Sequence, residues 1–85
     1  MKKNKTFRTT AIFRCIVTLA SGAHRIIRLS IDKVAIFNAA MRQFRDFGML
    51  TERYATFLNE LQLAASDIIS CRVINERTSR ELLTI

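Results

Sequence analysis

Between residues 13 and 31, apolar side chains occupy every second position in two runs. The first run comprises Phe13, Cys15, Val17 and Leu19, and the second comprises Ile27, Leu29 and Ile31. Side chains of a strand point alternately to opposite faces of a sheet, so this period of two predicts two strands that each bury one face. The small residues 21–23 interrupt the pattern between the runs. We therefore expect residues 7–31 to form a β-hairpin.

The apolar positions also suggest a register for this hairpin. A three-residue loop at Ser21–Ala23 would pair Val17 with Ile27, Cys15 with Leu29 and Phe13 with Ile31, all of them apolar. A long helix is the competing interpretation, since polar residues recur at helical spacing at Arg14, Thr18, Ser21, Arg25 and Arg28. Gly22 would then lie inside the helix at a cost of about 1 kcal/mol. We favour the hairpin for this reason and because β-branched residues crowd the segment.

Two helices are predicted to follow the hairpin. Asp32 is suited to cap the first helix, and Gly48 is suited to end it in the left-handed conformation. Thr51 is suited to cap the second helix. The apolar faces are Val34, Phe37, Met41 and Phe44 in the first helix, and Tyr54, Phe57, Leu58, Leu61 and Ala65 in the second. The short connection between the helices predicts a closely packed pair.

The last twenty residues allow two interpretations. Alternation of Ile69, Cys71 and Val73 predicts a third strand, after which Ser79 would cap a short helix; a continuous helix over 66–83 is the alternative. The fold predicted for the chain is α+β, with an N-terminal β-hairpin, a two-helix pair packed on one face and a C-terminal strand or helix. A small all-α bundle is the alternative fold. Residues 1–5 are predicted to be a basic flexible arm, and residues 6–85 a single small domain.

The charge balance indicates what such a domain binds. Fourteen basic residues face seven acidic ones, which gives a net charge of +7. A basic excess of this kind attracts nucleic acid, and the planar guanidinium group suits phosphate. Arg8, Arg14 and Arg28 would share the sheet face opposite the core. We therefore predict a small basic nucleic-acid-binding or regulatory protein that contacts the phosphates of DNA or RNA through Lys2, Lys3, Lys5, Arg8, Arg14 and Arg28.

Isoleucines on the same face support an alternative function. Ile12, Ile16 and Ile26 would point outward among the arginines. Apolar anchors with a charged rim are typical of protein interfaces. The alternative is thus an interaction module, such as an inhibitor or accessory subunit, that docks an acidic partner surface. We also expect possible homodimerisation, because a chain of 85 residues buries a modest share of its surface alone.

Residues 24–65 run strand, helix, glycine turn, helix, and in this order they resemble a ribbon-helix-helix DNA-binding unit. The strand in this segment reads Arg25-Ile26-Ile27-Arg28-Leu29-Ser30-Ile31. The resemblance implies that Ile26, Arg28 and Ser30 point outward, where such proteins place their base-reading side chains. A DNA-binding repressor is accordingly a minor alternative function.

Catalysis and metal binding receive little support from the sequence. His24 is the sole histidine, Cys15 and Cys71 lack metal-ligand spacing, and no glycine-rich phosphate loop is present. We predict no enzyme activity, no cofactor and no metal. A cytoplasmic location without membrane association is expected, because two cysteines form no disulfide framework and no long apolar segment exists. Residues 1–23 also have the outline of a signal peptide, although Arg14 interrupts its apolar stretch.

Overall fold

The computed structural model describes residues 11–84, and these form an antiparallel sheet and two α-helices. The elements are β1 (Ile12–Leu19), β2 (His24–Ser30), α1 (Ile31–Phe47), α2 (Glu52–Glu60), a 3₁₀ turn (Ala65–Asp67), β3 (Ile68–Asn75) and β4 (Glu81–Thr84). The four strands lie in the order β2-β1-β3-β4. The α+β architecture with an N-terminal hairpin and a helix pair is confirmed, and the all-helical alternative is excluded.

The hydrophobic core lies between one face of the sheet and the two helices. The sheet contributes Phe13, Cys15, Val17, Ile27, Leu29, Cys71 and Val73. The helices and the segment after them contribute Val34, Phe37, Met41, Tyr54, Leu58 and Leu63. Phe37 joins the two helices, since its ring centroid lies 5.3 Å from that of Phe57 and 6.0 Å from that of Tyr54. Most of these positions are the ones that the spacing predicted. Leu63 was not among them, and Ile69, which alternation predicted beside Cys71 and Val73, is 57% exposed next to a register shift between β1 and β3.

The register of the hairpin differs from the predicted register by two residues. Cys15 lies opposite Ile27 instead of Leu29, and Val17 lies opposite Arg25. Because the observed and the predicted register differ by two residues, an even number, the side chains of β1 and β2 in the described part of the hairpin remain on their predicted faces of the sheet. Ile31 is the exception, since it begins α1 and is exposed instead of ending β2.

The position of the hairpin loop explains this shift. The N–H of Gly22 donates to the carbonyl of Leu19 at 2.8 Å, and the N–H of Leu19 donates to the carbonyl of Ala23 at 2.9 Å. The three-residue loop is therefore 20–22 and not 21–23. Gly22 has φ +91°, a conformation that glycine adopts most easily, and three-residue hairpin loops commonly end in such a residue.

Of the three helix boundaries that the sequence predicted, two are confirmed. Gly48 ends α1 in the left-handed conformation at φ 70°, and its N–H donates to the carbonyl of Phe44. Thr51 Oγ1 accepts a hydrogen bond of 3.2 Å from the N–H of Tyr54 and caps α2. The predicted cap at Asp32 is wrong, because α1 already begins at Ile31 and Ser30 is its N-cap residue. α2 ends at Glu60, so Leu61 and Ala65, which were predicted on its apolar face, lie beyond it.

The C-terminal segment is a strand and not a helix. β3 pairs with β1, as the alternation predicted, and then turns into β4, where Leu83 lies opposite Val73. The short helix capped by Ser79 is wrong. Asn75 Oδ1 accepts hydrogen bonds from the N–H groups of Arg77 and Thr78, and Ser79 has φ 61°, so residues 75–80 close a tight turn instead.

Candidate nucleic-acid interface

One face of the sheet carries none of the helices that the structure describes. Both helices pack on the buried face, so the alternate side chains of each strand point to the other side. We call this side the open face. It comprises Ile12, Arg14, Ile16 and Thr18 of β1, His24, Ile26, Arg28 and Ser30 of β2, and Ser70, Arg72 and Ile74 of β3. Arg14, Arg28 and the three isoleucines predicted to bind a partner thus lie together, as expected.

Arg14 and Arg28 lie directly opposite each other on the open face. Like charges in this arrangement destabilise a sheet unless a counter-charge is near. Glu76, which immediately follows β3, supplies that charge: its Oε1 lies 2.8 Å from Arg28 Nε and its Oε2 lies 3.0 Å from Arg28 Nη2. The bidentate hydrogen bonds from Arg28 hold the pKa of Glu76 below its usual value, and the charges of Arg28 and Arg14 act in the same direction.

A second arginine of the open face is also paired. Arg72 donates to Glu81 Oε1 from Nε at 3.2 Å and from Nη2 at 3.0 Å. The hydrogen bond from Thr84 and those from Arg72 lower the pKa of Glu81. Neither Arg72 nor the two glutamates were identified from the sequence. The alternation around Cys71 places Arg72 outward, but its acidic partner depends on how β4 folds back.

Arg14 differs from these two arginines because no acidic side chain of residues 11–84 lies within hydrogen-bonding distance of it. Its Nε is buried and, among residues 11–84, has no hydrogen-bond partner. A buried donor without a partner costs free energy that a bound acceptor would recover. Arg14 therefore has hydrogen-bonding capacity that the described residues do not use.

Several basic residues gather at one end of the sheet. This end, which we call the arm end, comprises the start of β1, the end of β2 and the β3–β4 turn. The N–H of Glu76 donates to the carbonyl of Ile12 at 3.0 Å, which brings the turn against the start of β1. The turn itself contains Arg77 and Arg80. The ion pair with Glu76 of this turn holds the Arg28 side chain at the same end of the sheet.

The predicted phosphate-binding residues Lys2, Lys3 and Lys5 of the arm, and Arg8 of the sheet face, lie outside the described residues. Residues 1–10 contain these four basic residues and no acidic residue, so they carry four of the seven net positive charges. Their chain connects to the described part at Ala11, immediately before β1. The most basic segment of the sequence is therefore attached at the arm end.

The isoleucines of the open face differ in exposure. Ile12 and Ile16 are half-buried by their neighbours, whereas Ile26 is 62% exposed. Ile26 lies on the outer strand of the sheet, opposite Ile16. Of the three predicted partner-binding residues, Ile26 thus presents the largest apolar contact area.

Other reactive groups lie away from the open face or stand alone. Cys15 and Cys71 are free, fully buried thiols in the core, and the hydrogen bond to Cys15, together with burial, raises the pKa of Cys71. His24 is exposed at the hairpin end of β2. Within residues 11–84, no group of three or more His, Cys, Asp or Glu side chains is placed to hold a metal ion.

Comparison of the chain with protein-family models, curated proteins and solved structures gives no match. The strand–helix–turn–helix order that resembles a ribbon-helix-helix unit is present, with Ile26 and Arg28 on the open face and β2 paired to β1 of the same chain. Neither helix of the described part is long and apolar enough to cross a membrane.

Proposed function

We propose that the protein binds nucleic acid by contacting phosphates with the arm end of its sheet. The observation that carries the proposal is the meeting of Arg14, Arg28 and the β3–β4 turn at the point where the basic residues 1–10 are attached. Charge gathered at one end gives a directed attraction for a polyanion, whereas the same charge spread evenly would not. Lys2, Lys3, Lys5 and Arg8 would extend the contact along the backbone.

The ion pair between Arg28 and Glu76 is compatible with this function. Both side chains are substantially exposed, at 63% and 37%, so water and salt weaken their attraction. A phosphate carries the same bidentate acceptor geometry as the carboxylate that it would replace. Arg28 can therefore exchange Glu76 for phosphate, while the half-buried Arg14 has no ion pair within residues 11–84 that a phosphate would have to displace.

The composition of the open face favours contact with the backbone over stacking on bases. Single-stranded nucleic acid is commonly held by aromatic side chains on which bases stack. Among the described residues the open face carries no phenylalanine or tyrosine, since Phe13 points into the core, and its one imidazole, His24, lies at the hairpin end of the sheet. We therefore propose phosphate contacts that depend little on sequence, with double-stranded nucleic acid as the first substrate to test.

The test is a salt series of fluorescence anisotropy with the full-length protein and labelled duplex DNA, with an RNA duplex in parallel. The variant Arg14→Gln plus Arg28→Gln removes two proposed phosphate contacts. Its matched control, Arg42→Gln plus Arg53→Gln, removes the same charge from the exposed surfaces of α1 and α2. We expect the first variant to bind about tenfold more weakly and to lose about one unit of salt slope for each arginine.

The control variant should retain nearly all of the affinity and the slope. Equal losses in both variants would contradict the proposal, because attraction would then depend on net charge and not on the arm end. Absence of wild-type binding at low salt would also contradict it.

The exposure of Ile26 supports a second candidate, an interaction module for an acidic protein. An apolar centre at Ile12, Ile16 and Ile26 with arginines around it has the composition of a protein interface. Salt distinguishes the two candidates, since binding anchored by apolar contacts weakens less as ionic strength rises than binding to phosphates does.

A further inference from the structure

Strand β2 is an outer strand of the sheet, and one of its edges is unpaired within residues 11–84. In an antiparallel pair, backbone groups point alternately toward the partner and away from it. The N–H of Leu19 donates to Ala23, so the hydrogen-bonded pairs that follow are Val17 with Arg25 and Cys15 with Ile27. The N–H and C=O groups of Ile26 and Arg28 therefore point to the free edge.

The free edge of β2 is long and regular. It has seven residues, no proline and no interruption in its register with β1. The opposite edge of the sheet, formed by β4, has four residues and a register shift beside it. An unpaired edge of this length is a template for another strand. Ile26, which is 62% exposed, adds an apolar contact beside it.

The charges of the edge select the kind of strand. β2 contains Arg25 and Arg28 and no acidic residue. Arg25 donates to the carbonyl of Leu61 and has no ion pair within residues 11–84, whereas Arg28 would exchange its exposed ion pair with Glu76 for an acidic side chain of the partner. A second copy of the chain would bring its own arginines and a net charge of +7 to the same edge. An acidic strand would instead place opposite charges across the new pair, which stabilises antiparallel neighbours.

We propose that the β2 edge binds an extended acidic segment of a partner protein by strand addition. Backbone hydrogen bonds to Ile26 and Arg28 would provide affinity, as in other complexes of this kind. Acidic side chains beside the two arginines, and an apolar one against Ile26, would provide specificity. This interaction goes beyond nucleic-acid binding and uses a different surface, with Arg28 alone common to both.

The probe is a fluorescein-labelled seven-residue peptide of threonine with glutamate at positions 3 and 6 and valine at position 5. Paired antiparallel with β2, this peptide sets its glutamates opposite Arg28 and Arg25 and its valine opposite Ile26. Ile26→Pro removes an N–H that faces the free edge without removing a hydrogen bond to β1, since proline is tolerated at such positions. Thr84→Pro is the matched control on β4. Leu83 and Thr84 pair with Val73 and Arg72 without a register shift, and Leu83 faces β3, so the N–H of Thr84 faces the other free edge of the sheet. We expect saturable binding to the wild type, at least a tenfold loss in Ile26→Pro and no loss in Thr84→Pro.

The same peptide with lysine in place of both glutamates should bind at least tenfold more weakly than the glutamate peptide. Amide exchange of the wild type provides a readout that does not depend on variants, because bound peptide should protect the N–H groups of Ile26 and Arg28. Failure of the glutamate peptide to bind, or to protect these two groups, would overturn the proposal. A wild-type dimer that Ile26→Pro converts to a monomer would also overturn it, since a second copy would then occupy the edge.

Discussion

At the scale of single residues, Tyr54 is a spectroscopic probe of the hydrophobic core. It is the only tyrosine in a chain without tryptophan, and it is 4% exposed between the helices and the sheet. Burial is the main cause that raises the pKa of Tyr54 to about 12. Cys71 also raises this pKa, and its effect is larger than the lowering caused by Arg45. The neutral phenol is therefore favoured by folding, and its ionisation is coupled to the loss of the folded state.

The pH dependence follows from the direction of this shift. The stabilising effect of the neutral phenol is complete below pH 10, the unfolded value, and is lost as pH rises from 10 toward about 12. We expect a loss of about 2 kcal/mol over that range. Ultraviolet titration of tyrosinate should show a midpoint near pH 12, and Tyr54→Phe should remove the signal while the protein stays folded. A midpoint near 10 in the folded protein would contradict this prediction.

The same scale shows why Arg28 was easier to predict than its partner. Its outward orientation follows from alternation within seven residues of β2. Glu76 lies 48 positions away along the chain, and no local pattern links it to Arg28. The paired state of the arginine is therefore a property of the folded sheet, although its location on the open face is a property of one strand.

At the scale of elements, the two helices begin in different ways. Thr51 caps α2 with its side chain, whereas Ser30, the N-cap residue of α1, makes no side-chain hydrogen bond to its helix. A capping hydroxyl satisfies an N–H group that has no partner within the helix. The stability of α2 should therefore depend on its N-cap side chain more than that of α1 does.

A pair of alanine substitutions tests this difference. Thr51→Ala should lower the free energy of unfolding by about 1 kcal/mol, because the N–H of Tyr54 loses its acceptor. Ser30→Ala, the matched substitution, should lower it by less than about 0.5 kcal/mol. Urea denaturation followed by circular dichroism measures both. Equal effects would show that the hydroxyl of Ser30 caps α1 in solution.

At the scale of the whole molecule, the core depends on contacts between distant segments. Cys15 on β1 and Cys71 on β3 are fully buried on neighbouring strands, in the core that both helices cover. Burial and a pKa raised by the hydrogen bond to Cys15 make the Cys71 thiol unreactive in the folded state. Reaction at both positions should therefore require the core to open.

Thiol labelling measures that opening. We expect both cysteines to react at one common rate, equal to the rate of global unfolding under conditions in which labelling is fast. Leu58→Ala, which empties part of the core, should destabilise the protein by about 2–5 kcal/mol and accelerate labelling of both thiols. Leu50→Ala, at a 49% exposed position, should leave the rate nearly unchanged. Rapid reaction of one cysteine alone would reveal a local opening between β1 and β3.

Local patterns determined much of this protein. Alternation assigned the faces of β1 and β2 despite an error in the hairpin register, because moving the loop by one residue changes the pairing by two. It also assigned the face of β3 except at Ile69, where a register shift breaks the period of two. Gly48 and Thr51 marked helix ends through conformational and hydrogen-bonding preferences that act within a few residues. The open face with Arg14, Arg28 and Ile26 was accordingly predictable.

The tertiary structure determined the features that depend on contacts between residues far apart in the sequence. It selected β4 over a terminal helix, because Leu83 gains a buried strand partner in Val73 that local preference does not specify. It brought Glu76 to Arg28 and Glu81 to Arg72, and it left β2 at the edge of the sheet. Strand order and ion pairing depend on how distant segments of the chain pack together. A sequence window of a few residues holds no information about those contacts.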